Sequence, residues 1–93
     1  MRILVVEDDK DVGGFIVKGL KEAGHVVEHS ANGRDGLFLA ASEPFDAIVL
    51  DRMLPGLDGL TLVARLRERH ITIPVLMLSA LSAASRRERQ TRS

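Results

Sequence analysis

Short apolar runs alternate with amphipathic stretches along this chain. Ile3-Leu4-Val5-Val6 is uniformly apolar and rich in β-branched residues, which predicts a strand covered on both faces. Val12, Phe15, Ile16, Leu20 and Ala23 then recur at helical spacing, predicting a helix that starts at Asp9 or Lys10 and is closed by Gly24. Gly13, Gly14 and Gly19 each cost such a helix about 1 kcal/mol against alanine, so packing must hold it. Val26 and Val27 among polar neighbours predict a shorter strand near a sheet edge. Asn32-Gly33 signals a turn, and Leu37, Ala40 and Ala41 mark a short helix ending before Pro44. Ala47-Ile48-Val49-Leu50 is a second buried strand. Leu54 to Gly59 reads as a loop, with Asp58 capping a helix whose Leu62, Val63 and Leu66 face inward. Arg65, Arg67, Glu68 and Arg69 of that helix face water. Beyond Pro74, Val75-Leu76-Met77-Leu78 is a third buried strand that runs into Ser79-Ala80.

The order β-α-β-α-β-α-β implies an α/β domain built on a parallel sheet. At 93 residues there is room for one such domain. After Ala84 no apolar residue occurs, so residues 1–84 are expected to form the domain and residues 85–93 a basic, disordered tail. Charge is divided the same way. Residues 1–80 carry nine Lys/Arg against twelve Asp/Glu, and residues 81–93 carry four Arg against one Glu. The absence of cysteine excludes a disulfide frame and a thiolate metal site. Apolar runs are far shorter than the roughly 20 residues of a bilayer span, and Arg2 precedes too short a run for a secretory signal. The chain therefore reads as soluble and cytoplasmic, with no membrane partner.

Chemistry concentrates where the strands end. Glu7, Asp8 and Asp9 follow the first buried strand, Asp51 follows the second and Ser79 the third. Ligands of open α/β sheets bind at that carboxyl edge. Carboxylates gathered there repel one another and stay charged only around a cation. Mg²⁺ suits one or two carboxylates, a few waters and substrate phosphate oxygens. Asp8 and Asp51 are candidate ligands, with Glu7 on a metal-bound water and the backbone carbonyl of Met53 as a further ligand. Asp51 would be the nucleophile towards a phosphoryl group, and the Ser79 hydroxyl a donor to its oxygens. Any one of these acids could be no more than a solvated strand cap; the set is harder to explain that way. His25, His29 and His70 are too scattered for a metal site. The tail arginines could contact nucleic-acid phosphates, but such runs are more often solvated termini.

Ile3 to Asp9, Asp51-Arg52-Met53-Leu54-Pro55-Gly56-Leu57-Asp58-Gly59 and Pro74 to Ala80 resemble the receiver domain of two-component response regulators. The Arg-Met-Leu-Pro-Gly stretch is most similar to the subgroup that carries a winged-helix DNA-binding domain, which is not present in this chain. The resemblance implies a flavodoxin-like receiver fold with sheet order 2-1-3-4. It also implies Mg²⁺ at Glu7, Asp8, Asp51 and the Met53 carbonyl, and phosphorylation of Asp51 by a histidine kinase. Ser79 becomes the hydroxyl that moves towards the phosphate.

A receiver continues through a fifth strand carrying a lysine and an aromatic residue. Here the last lysine is Lys21 and the last aromatic is Phe45. The expectation is a receiver truncated before that strand, with phosphotransfer impaired. Its fourth strand and an uncovered sheet face would then pair with a second copy, giving a homo-oligomer. The alternative function is an inactive truncated receiver that folds only as an oligomer or domain-swapped assembly. An aspartyl phosphatase is disfavoured because Met53 stands where those enzymes place a second acid. A nucleotide-binding domain is disfavoured because acids occupy the first turn, where a glycine-rich cradle is needed. The chain is not expected to be an enzyme.

Overall fold

The computed structural model describes residues 1–78. Seven elements follow one another as β1 (Arg2–Val6), α1 (Lys10–Glu22), β2 (Val26–Ser30), α2 (Gly33–Ser42), β3 (Ala47–Leu50), α3 (Gly59–Glu68) and β4 (Val75–Met77). The strands form one parallel sheet in the order β2-β1-β3-β4, as expected from the sequence. Val6 pairs with Ser30 on one side and Leu50 on the other, so three strand ends lie level at one edge.

Alternation along the strands sends side chains to opposite faces. Leu4, Val6, Ile48 and Leu50 join Ala40, Phe45, Leu54, Leu62 and Leu66 in the core between the sheet and the α2–α3 layer. Helix α1 packs on β1 and β2. Asp9 caps it by accepting from the amides of Asp11 and Val12 at 2.9 and 3.1 Å. Ala23 is the C-cap, and Gly24 sits just beyond it with φ of 95°, the left-handed position that glycine fills without strain. Asn32 caps α2 through the Asp35 amide, and Asp58 caps α3 through the Thr61 amide, both at 2.9 Å. Leu62 and Leu66 are fully buried, and Arg65, Arg67, Glu68 and Arg69 are exposed, as the pattern predicts.

Two sequence expectations need correction. Phe15 is 81 % exposed and Val12 is also on the surface, whereas Gly13 is buried and Ile16, Val17 and Leu20 are half-buried. A 3–4 spacing gives the period of a helix but not which side of the stripe faces inward. Contact at Gly13, where a Cβ would lie 2.8 Å from the His29 ring, turns α1 so that Phe15 points out. Strand β4 is not buried on both faces. Val75 and Met77 pack against the core, but Leu76 lies on the opposite face and is 63 % exposed.

Candidate functional site

The level strand ends bring three carboxylates together. Glu7 follows β1, and its amide donates to the Ser30 carbonyl at 3.0 Å, extending the ladder by one residue. Asp51 follows β3 and its amide donates to the Val6 carbonyl at 2.9 Å. Backbone pairing therefore fixes both Cα positions. Glu7, Asp8 and Asp51 each offer a carboxylate oxygen, and these atoms all lie within 4.8 Å of one another. Glu7 and Asp51 are buried, Asp8 is exposed, and the cluster opens to solvent on the Asp8 side.

Burial of Glu7 without an opposing charge has a clear electrostatic result. Its carboxyl is pushed up to about 8, first by burial and then by a hydrogen bond and charge repulsion from Asp51. Its Oε1 is buried with no hydrogen-bond partner among the described residues, while Oε2 lies 3.5 Å from the Asp9 amide. A buried carboxylate oxygen left without a donor, facing two further acids, fits a small hard cation rather than a structural role.

Asp9, the third of the acids that follow β1, is the N-cap of α1. Asp51 Oδ1 accepts from the Met53 amide at 3.3 Å, which tethers the start of the following loop to the carboxylate. Met53 itself is exposed. Ser79 and Ala80 lie outside the described residues, as does the segment set apart as a tail.

Two contributors escaped the sequence reading. Gly59 opens α3 directly against the back of Asp51. A Cβ there would fall 2.5 Å from the Asp51 carbonyl oxygen and 2.9 Å from the Arg52 Cα. The Gly59 amide donates to the Arg52 carbonyl at 2.8 Å, closing the loop that starts at Asp51. An Asp-Gly pair at a helix start was the available signal. His29 is the second: its Nε2 lies 2.9 Å from the Glu7 carbonyl, bracing the strand end where the acids begin.

Residues 3–92 match the family described as the response regulator receiver domain. The chain belongs to that family. This receiver is 44% identical over 87 residues to the probable transcriptional regulatory protein SilR of Salmonella typhimurium, an alignment covering 94% of this chain and 38% of SilR. It is 50% identical over 80 residues to the transcriptional activator protein IrlR of Burkholderia pseudomallei, covering 86% of this chain and 34% of IrlR. The chain thus spans little more than a third of the length of these curated relatives. Among solved structures, the receiver domain of the Francisella response regulator 1452 superposes with a TM-score of 0.83 at 40% identity. That match covers 86% of this chain and 66% of the Francisella chain. The receiver architecture and its place in two-component response regulators follow from these matches. No helix among the described residues is long and apolar enough to cross a membrane.

Proposed function

We propose that this receiver is a phospho-acceptor, with Asp51 taking a phosphoryl group from a phosphohistidine of a histidine kinase. The observation that carries the reading is the convergence of the Glu7, Asp8 and Asp51 carboxylate oxygens within 4.8 Å. Glu7, Asp8 and Asp51, together with the Met53 carbonyl, would hold Mg²⁺. When bound, Mg²⁺ neutralises charge on the transferring oxygens. The chain's own part is positional. Backbone pairing to Val6 fixes the Asp51 backbone, and the Met53 amide binds Oδ1, leaving Oδ2 for attack. That oxygen forms a bond to phosphorus as the bond from phosphorus to the donor imidazole nitrogen breaks, and the imidazole leaves with its electron pair and takes up a proton. Ser79 is proposed to donate its hydroxyl to a phosphoryl oxygen. No turnover of a second substrate is invoked, so the chain acts as acceptor and not as an enzyme, in the cytoplasm where such kinases present their phosphohistidine.

Incubation with acetyl phosphate and Mg²⁺, followed by intact mass measurement, tests this. A single added phosphoryl group that disappears with Asp51→Asn is expected. No addition to the folded chain, or addition that survives Asp51→Asn, would sink the reading.

One observation favours a second reading. Leu76 is 63 % exposed and sits in register with half-buried Val49, on the sheet face away from the core. Among the described residues β4 pairs only with β3 and no strand lies along its outer edge, where strand addition could occur. A second copy pairing along β4 would cover both edge and face, giving a homo-oligomer that transmits no phosphoryl signal. Sedimentation velocity separates the two: a monomer that accepts phosphate excludes it, and an obligate oligomer inert to acetyl phosphate supports it.

A further inference from the structure

Helices α2 and α3 lie side by side and leave a groove of about 440 Å³, lined by Arg34, Leu37, Phe38, Leu57, Arg65 and Arg69. The floor is apolar. Leu37 and Leu57 pack against the core, and Phe38 is 62 % exposed although nothing in the fold requires an aromatic ring in water. The rim is cationic. Among the described residues, the ion pairs are those of Arg2 with Glu28 and Glu43, so no carboxylate engages the three groove arginines. Arg67, on the same helix, shows how a structural arginine behaves here: its guanidinium donates to the carbonyls of Ile71 and Ile73 at 2.6 and 3.0 Å. Among the described residues, Arg34, Arg65 and Arg69 make no such bond. Nearby acids are spent locally, Asp35 on the Asn32 amide and Asp58 on the start of α3. Glu68 lies on α3 between Arg65 and Arg69 in sequence, with no ion pair to either among the described residues.

We infer that the α2–α3 groove is a docking site for an acidic, amphipathic segment of a partner protein. One large apolar side chain of that segment would seat on Leu37, Phe38 and Leu57, and its carboxylates would meet Arg34, Arg65 and Arg69. Arg65 and Arg69 stand one helical turn apart, about 6 Å along the axis, which matches glutamates spaced i, i+4 on a docked helix. Arginine and exposed aromatics are the residue types that anchor such interfaces, through bidentate carboxylate pairing and apolar burial. A nucleic-acid backbone would use the arginines but has no use for the apolar floor. The groove also touches the loop that begins at Asp51, since Leu57 belongs to that loop and the Gly33 amide of α2 donates to its Pro55 carbonyl at 3.1 Å. The inference does not depend on phosphoryl transfer.

The test is an amide ¹H–¹⁵N titration of the labelled chain with a short helical peptide carrying glutamates one turn apart around a leucine and a phenylalanine. Saturable shifts confined to the amides of Arg34, Leu37, Leu57, Arg65 and Arg69 are expected. The glutamine counterpart of the peptide should bind about tenfold more weakly or worse, as should the chain with Arg65→Glu and Arg69→Glu. Arg65→Gln and Arg69→Gln serve if the reversal disturbs folding. Four results would each overturn the inference: no groove shifts at millimolar peptide, equal binding of the glutamine peptide, tighter binding of a short DNA duplex to the same amides, or groove shifts produced by raising protein concentration alone, which would make a second copy the occupant.

Discussion

Val6 pairs with Leu50 across the β1–β3 ladder, so the next residues on the two strands, Glu7 and Asp51, meet with both carboxyl groups buried. Parallel pairing in this register fixes the backbones of the two residues side by side. Two acids are held together out of water before any cation or phosphate arrives. Without a cation, a proton on Glu7 relieves the repulsion up to about pH 8, and a divalent ion would take that proton's place, which is the physical reason for expecting ion binding here.

The raised Glu7 carboxyl gives a pH dependence whose sign is fixed. It sits near 8 in the folded chain against an ordinary value of 4.5, chiefly because burial disfavours its charged form. Folded chain therefore binds a proton that unfolded chain has released over that interval. The resulting stabilisation is present in full below 4.5 and is lost as pH rises through 8. Urea unfolding without metal should give a lower midpoint near pH 8.5 than near pH 5. Glu7→Gln should flatten that slope and stabilise the metal-free chain by on the order of 2 kcal/mol at the alkaline end. A midpoint that climbs with pH over this interval would contradict the electrostatic picture of the site.

Gly59 and Gly14 should respond oppositely to the same change. Gly59→Ala places a methyl group 2.5 Å from the Asp51 carbonyl oxygen, so Asp51 or α3 must move. A loss of about 1–3 kcal/mol in stability is expected, with slower phosphoryl uptake from the displaced acceptor. Gly14 has open space around its Cβ position within α1, and Gly14→Ala should stabilise by up to about 1 kcal/mol. Thermal melts of the two variants, with phosphorylation rates for Gly59→Ala, check both.

His70 is the one non-glycine residue with positive φ among the described residues, at 60° just past the end of α3. Its left-handed backbone costs on the order of 1 kcal/mol relative to glycine, and the hydrogen bond its backbone amide donates to the Arg67 carbonyl at 3.0 Å needs no side chain. His70→Gly should raise the melting temperature slightly, offset in part by the greater freedom of unfolded glycine. A clear drop would mean that the imidazole contributes more than its backbone costs.

Much of this structure is legible in particular residues. The run Ile3–Val6 buries four consecutive apolar side chains, as a strand inside a parallel sheet does, while Ala47–Leu50 alternates half-buried and buried positions, and the acids at their ends meet at the sheet edge. Asp9 and Asp58 announce their helices because a short carboxylate satisfies free amides that nothing else reaches. Phe15 misled, since spacing sets a helix's period and tertiary contact at Gly13 decides its rotation. Leu76 misled because a run of apolar residues does not reveal whether both of its faces have neighbours. The grouping of Arg34 with Arg65 and Arg69 was not legible, because it arises from the packing of α2 beside α3, two helices that the chain order keeps apart.

Magnesium titration of the folded chain by calorimetry, at neutral pH, bears most directly on the pocket formed by Glu7, Asp8 and Asp51. A single bound ion is expected, with affinity lowered about tenfold or more by Asp51→Asn. Absence of binding to folded chain, or binding that Asp51→Asn leaves unchanged, would contradict the shared site.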